Sequence, residues 1–496
     1  MAMRVTNNMI MQTGIKNINS NKTNVDGLYD QMSSQKKISR ASEDPVVAIR
    51  SLRLRNTQAQ VNQYLDKNIS DASTWLDNTE TALGNMKTAL TNVSTELVSV
   101  TGTLSLSDKR TVLQNLQSLR EELYSSGNAD LNGRNLFTGY KTGTTLTFLT
   151  ADTSAHYTIT EKFSYENISS AKYYANCVDV PTSLNGENGS TAVNNPTEVE
   201  NYRIRLSYAD VDAIADSDNI ELTDSDGNAI DTLSVTTMSY SDWEAADFAI
   251  GDDEVYLIED TGELILGKDV ANQIKSAKAE LSFTYDKTGF NAGELKPQNY
   301  FDCVEHRDTG DIEYTKADQQ IKYTVAPNTT LTVNTQAADV FNADAGRDID
   351  ELVNAMQAAV DAETKVSKIT SMMTEAQYAD DDSQAYLSNL LAAAQKEADY
   401  TQDNVNTLFS NGITSFQGYL DDIATAISDV GNKSSQLELI ETRVTNQKST
   451  LESLISDNED MDLSEIAINY TAAYNAYEAA LLAASKASKN TLLDYI

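Results

Sequence analysis

Residues 69–100, ISDASTWLDNTETALGNMKTALTNVSTELVSV, carry the reading of the fold. Ile69, Leu76, Leu83, Leu90 and Leu97 recur at heptad spacing; Ala72, Met86, Val93 and Val100 fill the offset position, with Thr79 its one polar member. An a/d repeat sustained over this length predicts a long helix with one apolar seam, the pattern of a coiled coil. At about 1.5 Å per residue such a helix spans tens of ångströms. Trp75, beside Leu76, reads as a core anchor.

Toward the N-terminus a weaker seam runs through Met11, Ile18, Val25 and Met32, with Leu28 between. Gly14, Gly27 and frequent asparagines disfavour an isolated helix there, so this segment is expected to order against partners. Asp44 suits an N-cap and Pro45 the first helical position, so a new helix is predicted through Val47, Ile49 and Leu52. Another follows Ser107, with Val112, Leu116, Leu119 and Leu123 on one face, and stops near Gly127.

The texture changes after about residue 140. Short alternating runs rich in Thr, Tyr, Val and Ile replace the helical period, as in Tyr157-Thr158-Ile159-Thr160 and Tyr202-Arg203-Ile204-Arg205-Leu206. Val255–Ile258 and Glu263–Leu266 flank Asp260-Thr261-Gly262, which reads as a hairpin, and Asp226-Gly227 marks a second turn. Four of the five prolines fall between these helical regions, which supports an inserted β-rich domain over 143–338.

Helical spacing returns after Phe341 with Ile349, Leu352, Met356 and Val360. A second heptad seam comprises Leu437, Val444 and Leu451, with Ile440, Gln447 and Leu454 offset. The Ala-rich end carries an apolar face of Ile466, Tyr470, Ala473 and Tyr477 and closes on Leu492-Leu493-Asp494-Tyr495-Ile496. The expected fold class is mainly α with an inserted β-rich domain, the N- and C-terminal segments forming long coiled-coil helices. Expected divisions are 1–42 (terminal assembly segment), 43–142 (N-terminal rod), 143–338 (inserted β-rich domain), 339–455 (C-terminal rod) and 456–496 (assembly helix). The long seams are assigned mostly to intrachain core. Those from Met11 to Met32 and from Ile466 to Ile496 are assigned to contacts between subunits, because their own chain offers little else to cover them. A rod with apolar ends suits head-to-tail assembly.

Composition excludes several functions. Net charge is −37, from 37 basic and 74 acidic residues, which repels nucleic acid and anionic lipid. The first 55 residues are net positive, without the aromatic interleaving of a nucleic-acid arm, and are expected to match acidic neighbouring subunits. No run is apolar enough for membrane insertion, and no cleavable signal peptide is evident at the start. Two cysteines, Cys177 and Cys303, and two histidines, His156 and His306, argue against zinc, haem or thiol chemistry. The cysteines are read as free thiols, with pairing open because it requires Cα atoms within about 7 Å. The histidines have no spacing partner and read as ordinary turn or surface residues. Asp224-Ser225-Asp226-Gly227-Asn228 lacks the full ligand set of a calcium loop and reads as a turn; Asp380-Asp381-Asp382 reads as a solvated linker. No phosphate-loop or nucleophile-elbow motif is present, so no enzyme, cofactor or metal is expected.

Two longer stretches carry a family resemblance. Arg4-Val5-Thr6-Asn7-Asn8-Met9 and Met32-Ser33-Ser34-Gln35-Lys36-Lys37-Ile38-Ser39-Arg40-Ala41-Ser42-Glu43-Asp44-Pro45 resemble the hook–filament junction proteins of bacterial flagella. Leu65-Asp66-Lys67-Asn68-Ile69, Ser73-Thr74-Trp75-Leu76, Asn132-Gly133-Arg134-Asn135-Leu136-Phe137-Thr138-Gly139-Tyr140 and the Ala-Ser-Lys-rich end extend the likeness, as does Asp339-Val340-Phe341. It covers about 1–145 and 435–496 and is weak between. Ser33, Ser34, Ile38, Arg40, Asp44 and Pro45 are the motif positions. Flagellins share the Ser-Ser-x-x-x-Ile core but usually lack the proline, and Gln35 departs from the glycine the family commonly has. The resemblance implies a junction layer between a hook-side junction protein and flagellin, contacts with copies of itself, a cytoplasmic export chaperone, and export to the extracellular flagellum through the type III apparatus. Flagellin itself is the alternative.

Overall fold

The computed structural model describes residues 7–100, 104–184, 193–214, 219–224 and 227–489. Helices α1 (Asn7–Ser34), α2 (Pro45–Gln63), α3 (Ser70–Ser99) and α4 (Leu106–Leu123) open the chain. A small hairpin, β1 (Asp130–Leu131) and β2 (Arg134–Asn135), precedes β3 (Asp152–Ser164), β4 (Ser169–Ala175), β5 (Thr197–Arg205), β6 (Asn219–Thr223), β7 (Ala229–Ser234) and β8 (Thr236–Met238). Then come α5 (Tyr240–Ala245), β9 (Val255–Ile258), β10 (Glu263–Leu266), α6 (Lys268–Ala277), β11 (Glu280–Phe290), β12 (Asp302–His306), β13 (Ile312–Tyr314), β14 (Lys322–Ala326) and β15 (Thr329–Thr332). Helices α7 (Ala343–Met373), α8 (Asp381–Glu459) and α9 (Leu463–Lys489) follow. The architecture is mainly α with a β-rich middle. Two compact units comprise 1–73, 323–331 and 435–496, and 74–322 and 332–434.

Local chemistry explains the helix starts. The Asp44 carboxylate accepts from the Val46 and Val47 amides at 2.9 and 3.1 Å, with Pro45 following where its missing N–H costs nothing. A π-helical turn, Tyr64–Ile69, joins α2 to α3 without a break, a feature the heptad pattern does not announce. The helix expected after Ser107 begins at Leu106, because Ser105 is its N-cap and accepts from the Asp108 amide at 3.3 Å. Asp380 accepts from the Ser383 amide at 2.8 Å, and Asp381 and Asp382 form the first turn of α8; the acidic run is a helix start rather than a linker.

All ten repeat positions from Ile69 to Val100 are at most 3% exposed. Thr79 is tolerated there because its hydroxyl donates to the Trp75 carbonyl at 2.8 Å. Ile349, Leu352, Met356 and Val360 on α7 are buried, as are Leu437, Val444 and Leu451 on α8. Helix α8 continues for 79 residues, roughly 120 Å. Its Gly412 sits against α3 and α7, where a Cβ would lie 3.4 Å from Leu97 and 3.9 Å from Leu352.

In the β-rich region a five-stranded sheet, β4-β5-β10-β9-β8, and a six-stranded sheet, β13-β12-β3-β11-β6-β7, share a core. Tyr157, Ile159, Leu281, Phe283 and Tyr285 from one meet Ile204, Leu257, Leu264 and Leu266 from the other, with Val270 and Ile274 of α6. Alternation along β3 and β11 turns His156, Thr158, Thr160, Thr284 and Asp286 outward, with Glu161 and Lys287 as buried polar exceptions. Asp260-Thr261-Gly262 closes β9 onto β10 as expected. Gly262 has φ +62°, and a Cβ there would lie 1.8 Å from the Tyr208 carbonyl oxygen, so only glycine fits. The turn between β6 and β7 is held by the Asp224 amide on the Asn228 carbonyl at 2.9 Å; Ser225 and Asp226 lie outside the described residues.

A buried ionic network fastens β5 to α7. Arg203 pairs with Glu263 and Glu351, and Arg205 with Asp348 and, at 2.7 Å, with Glu351. Arg347 caps the arrangement by donating to the Leu206 and Thr261 carbonyls at 3.1 and 2.5 Å. Nearby Glu161 accepts from Tyr285, from the Ser207 hydroxyl at 2.9 Å and from the Ser207 amide. Burial pushes its carboxyl up to about 7 against those hydrogen bonds.

The cysteines are free; Cys303 is buried in the sandwich core and Cys177 half-buried. Burial pushes their thiols up to about 12 and about 11. The reading of His156 and His306 as isolated is corrected. Antiparallel register sets them directly opposite on β3 and β12, with ring centroids 4.5 Å apart. Sequence separation hides neighbours that strand pairing creates.

Candidate assembly region

The terminal unit is built around the return of the chain's end to its start. Helix α9 packs along α1, and Tyr29 meets Tyr470 with ring centroids 6.3 Å apart. Val25 is buried, Ile18, Leu28 and Met32 are half-buried and Met11 is exposed. On α9, Ile466 and Ala473 are buried, while Tyr470 and Tyr477 are half-buried. The expectation that these seams lack cover within their own chain is therefore corrected: each helix covers part of the other. Leu492, Leu493, Tyr495 and Ile496 lie outside the described residues, as do Arg4, Val5 and Thr6.

The motif between α1 and α2 docks on the corner between α8 and α9. Lys36 and Asp460 form an antiparallel bridge; the Lys37 amide donates to the Glu459 carbonyl at 2.7 Å and the Met461 amide to the Gln35 carbonyl at 3.1 Å. Gln35 closes α1 with φ +58°, a left-handed conformation that glycine adopts at less cost. Ser34 returns its hydroxyl to the Asp30 carbonyl at 2.8 Å, and the Arg40 carbonyl accepts from the Glu43 amide at 3.0 Å in the turn before Asp44. Ser33 is exposed and Ile38 half-buried beside these contacts.

Glu459 is the hub of this corner. Its buried carboxylate accepts both Arg55 nitrogens, at 2.7 and 2.6 Å, the Ser51 hydroxyl, and Lys36 at 3.5 Å. The Arg55 guanidinium, followed by Ser51 and Lys36, holds this carboxyl down at about 2. Asn458 donates to the Val47 carbonyl at 3.1 Å. Sequence reasoning missed Glu459; the net-positive start was the only signal, and it was assigned to neighbouring subunits. Lys36 and Arg55 are instead neutralised within the chain, whereas Lys16, Lys22, Arg40, Arg50 and Arg53 are exposed.

Apolar exposure is concentrated on the terminal unit. Among the described residues, fourteen of the eighteen exposed large hydrophobics belong to it. Val46 and Leu52 on α2 are 76% and 71% exposed, Leu439 on α8 74%, and Ile468 and Leu482 on α9 70% and 65%. A unit under a third of the chain thus carries most of the exposed large apolar side chains among the described residues.

In the larger unit, the other motif stretch brackets the insertion. Asn132 and Gly133, with φ +54° and +78°, make the tight β1–β2 turn. Arg134 lies over the Trp75 ring at 5.1 Å. Phe137 meets Phe341 edge-on at 4.8 Å, and its carbonyl accepts from Ala337 at 2.9 Å. The strands thus leave and rejoin the helices at one aromatic clasp.

Residues 5–142 match the bacterial flagellin N-terminal helical region. That match spans the four opening helices and the β1–β2 hairpin. Flagellar hook-associated protein 3 of Salmonella typhimurium is 32% identical over 147 residues, covering 28% of this chain and 44% of that protein. The protein of the same name from Escherichia coli is 32% identical over 149 residues, covering 29% and 45%. The chain spans less than half the length of the curated relatives it matches. Solved structures that align over most of the chain include a putative flagellar hook-associated protein from Vibrio parahaemolyticus, at 13% identity, covering 84% of this chain and 100% of that one, with a TM-score of 0.36. Another is the flagellar junction protein FlgL from Legionella pneumophila, at 13% identity, 78% and 99% coverage and a TM-score of 0.26. No helix among the described residues is long and apolar enough to cross a membrane.

Proposed function

We propose that this chain is a non-enzymatic structural subunit of the bacterial flagellum that forms the junction layer between a hook-side junction protein and the flagellin filament. The observation that carries this reading is the crowding of exposed apolar side chains onto the unit built from the two chain ends. The motif at Ser33–Pro45 supports it, because it docks that unit's helices through Lys36, Arg55 and Glu459. Met11, Ile468 and Leu482 then face neighbouring copies, while Val25 and Ile466 serve the α1–α9 pair. Pro45 at the start of α2 and the curated relatives favour the junction role over flagellin. Export occurs through the flagellar type III apparatus, and a cytoplasmic chaperone holds the C-terminal helix beforehand. Seeded assembly watched by negative-stain electron microscopy tests the proposal. Binding to hook-side ends with short caps is expected; long filaments of this chain alone would mean that it is a flagellin.

A further inference from the structure

The outward face of the six-stranded sheet gathers the chain's two histidines, one from β3 and one from β12, with a carboxylate from β11. His156 faces His306 across β3 and β12, and Asp286 lies opposite Thr158, one outward position along β3 from His156. One ligating atom from each of His156, Asp286 and His306 lies within 4.8 Å of the others, and all three side chains are half-buried. A tetrahedral ion with bonds of about 2.0–2.1 Å needs ligand atoms roughly 3.3 Å apart. Side-chain rotation covers that difference without moving the strands.

The surroundings match such a site. Asp311, in the β12–β13 turn, lies 3.0 Å from His306 Nδ1. A carboxylate on that nitrogen fixes the tautomer that leaves Nε2 free to ligate. Thr158 Oγ1 donates to Asp286 Oδ1 at 2.5 Å and lies 2.8 Å from His306 Nε2, so this hydroxyl sits between two of the ligand atoms. Asp212 adds negative charge one position along β11, where it accepts from Thr288 at 2.7 Å. The neighbouring cation Arg307 is turned to Glu305 at 2.6 Å.

We propose that His156, His306 and Asp286 bind a divalent first-row transition ion of the zinc or nickel type. Two imidazoles and one carboxylate select such ions over calcium or magnesium, and three protein ligands leave a position for water. The ion clamps β12, β3 and β11 together across the sheet.

The test is titration of the tag-free, chelator-washed full chain with Zn2+ and with Ni2+ against a chromophoric chelator. About one equivalent should bind with micromolar or tighter affinity. His156→Ala and His306→Ala should each abolish that binding with circular dichroism unchanged, since both side chains face outward. Asp311→Asn should weaken it about 10- to 100-fold by loosening His306. No saturable binding by the unaltered chain, or binding that survives both histidine substitutions at full strength, overturns the proposal.

Discussion

Replacing Glu459 by Gln isolates the charge at the centre of the terminal unit. The amide keeps the shape and can still meet Ser51, but it no longer matches Arg55 and Lys36. In the folded chain the carboxyl is held at about 2 rather than its ordinary 4.5. At about 1.4 kcal/mol per unit that shift corresponds to roughly 3 kcal/mol at neutral pH. Glu459 itself is buried, but the Arg55 side chain is 59% exposed and Lys36 41%, so solvent screens part of the attraction. The expected loss is therefore about 1.5–2 kcal/mol. The sign with pH follows from the lowered value. The contribution is complete above about 4.5 and is lost as pH falls toward about 2. Hydrogen exchange read by mass spectrometry suits this perturbation, because the Lys37 and Met461 amides are the bridge donors. Peptides covering 35–47 and 456–463 should exchange about 10- to 30-fold faster in the variant at pH 7, with β3 and β11 unchanged. Unaltered exchange in those peptides, or an equal rise throughout the sandwich, would refute the assignment of Glu459 as a local fastener.

Gln35→Gly should stabilise the same corner by about 0.5–1 kcal/mol, since φ +58° costs a side chain more than glycine; slower exchange at Met461 measures it. Gly262→Ala should destabilise the larger unit by more than about 2 kcal/mol in denaturant unfolding, because positive φ and the Tyr208 carbonyl both oppose a Cβ. Glu161 works in the opposite sense to Glu459. Its raised value, about 7, means that the folded state binds the extra proton between about 4.5 and 7, so stability falls as pH rises through that window. Glu161→Gln should remove that slope from a plot of Tm against pH; an unchanged slope would show that another group titrates.

Much of this protein is set by patterns that operate locally. The heptads through Leu76, Leu83 and Leu90, the Asp44-Pro45 start and the Asp260-Thr261-Gly262 hairpin follow from periodicity, capping and turn stereochemistry, each of which depends on residues close in sequence. That is enough to give a helix–strand–helix order and a mainly α fold with a β-rich middle. Partners far apart in the chain were decided by tertiary structure. Glu459 meets Arg55 only because the end of α8 returns beside α2, and that pairing keeps within the chain cations that composition alone assigns to neighbours. His156 and His306 meet only because strand register aligns them, and no spacing rule spans the long stretch of chain between them. The left-handed turn at Gln35 is likewise a product of docking, since nothing in a glutamine favours positive φ until the chain must reverse onto Glu459.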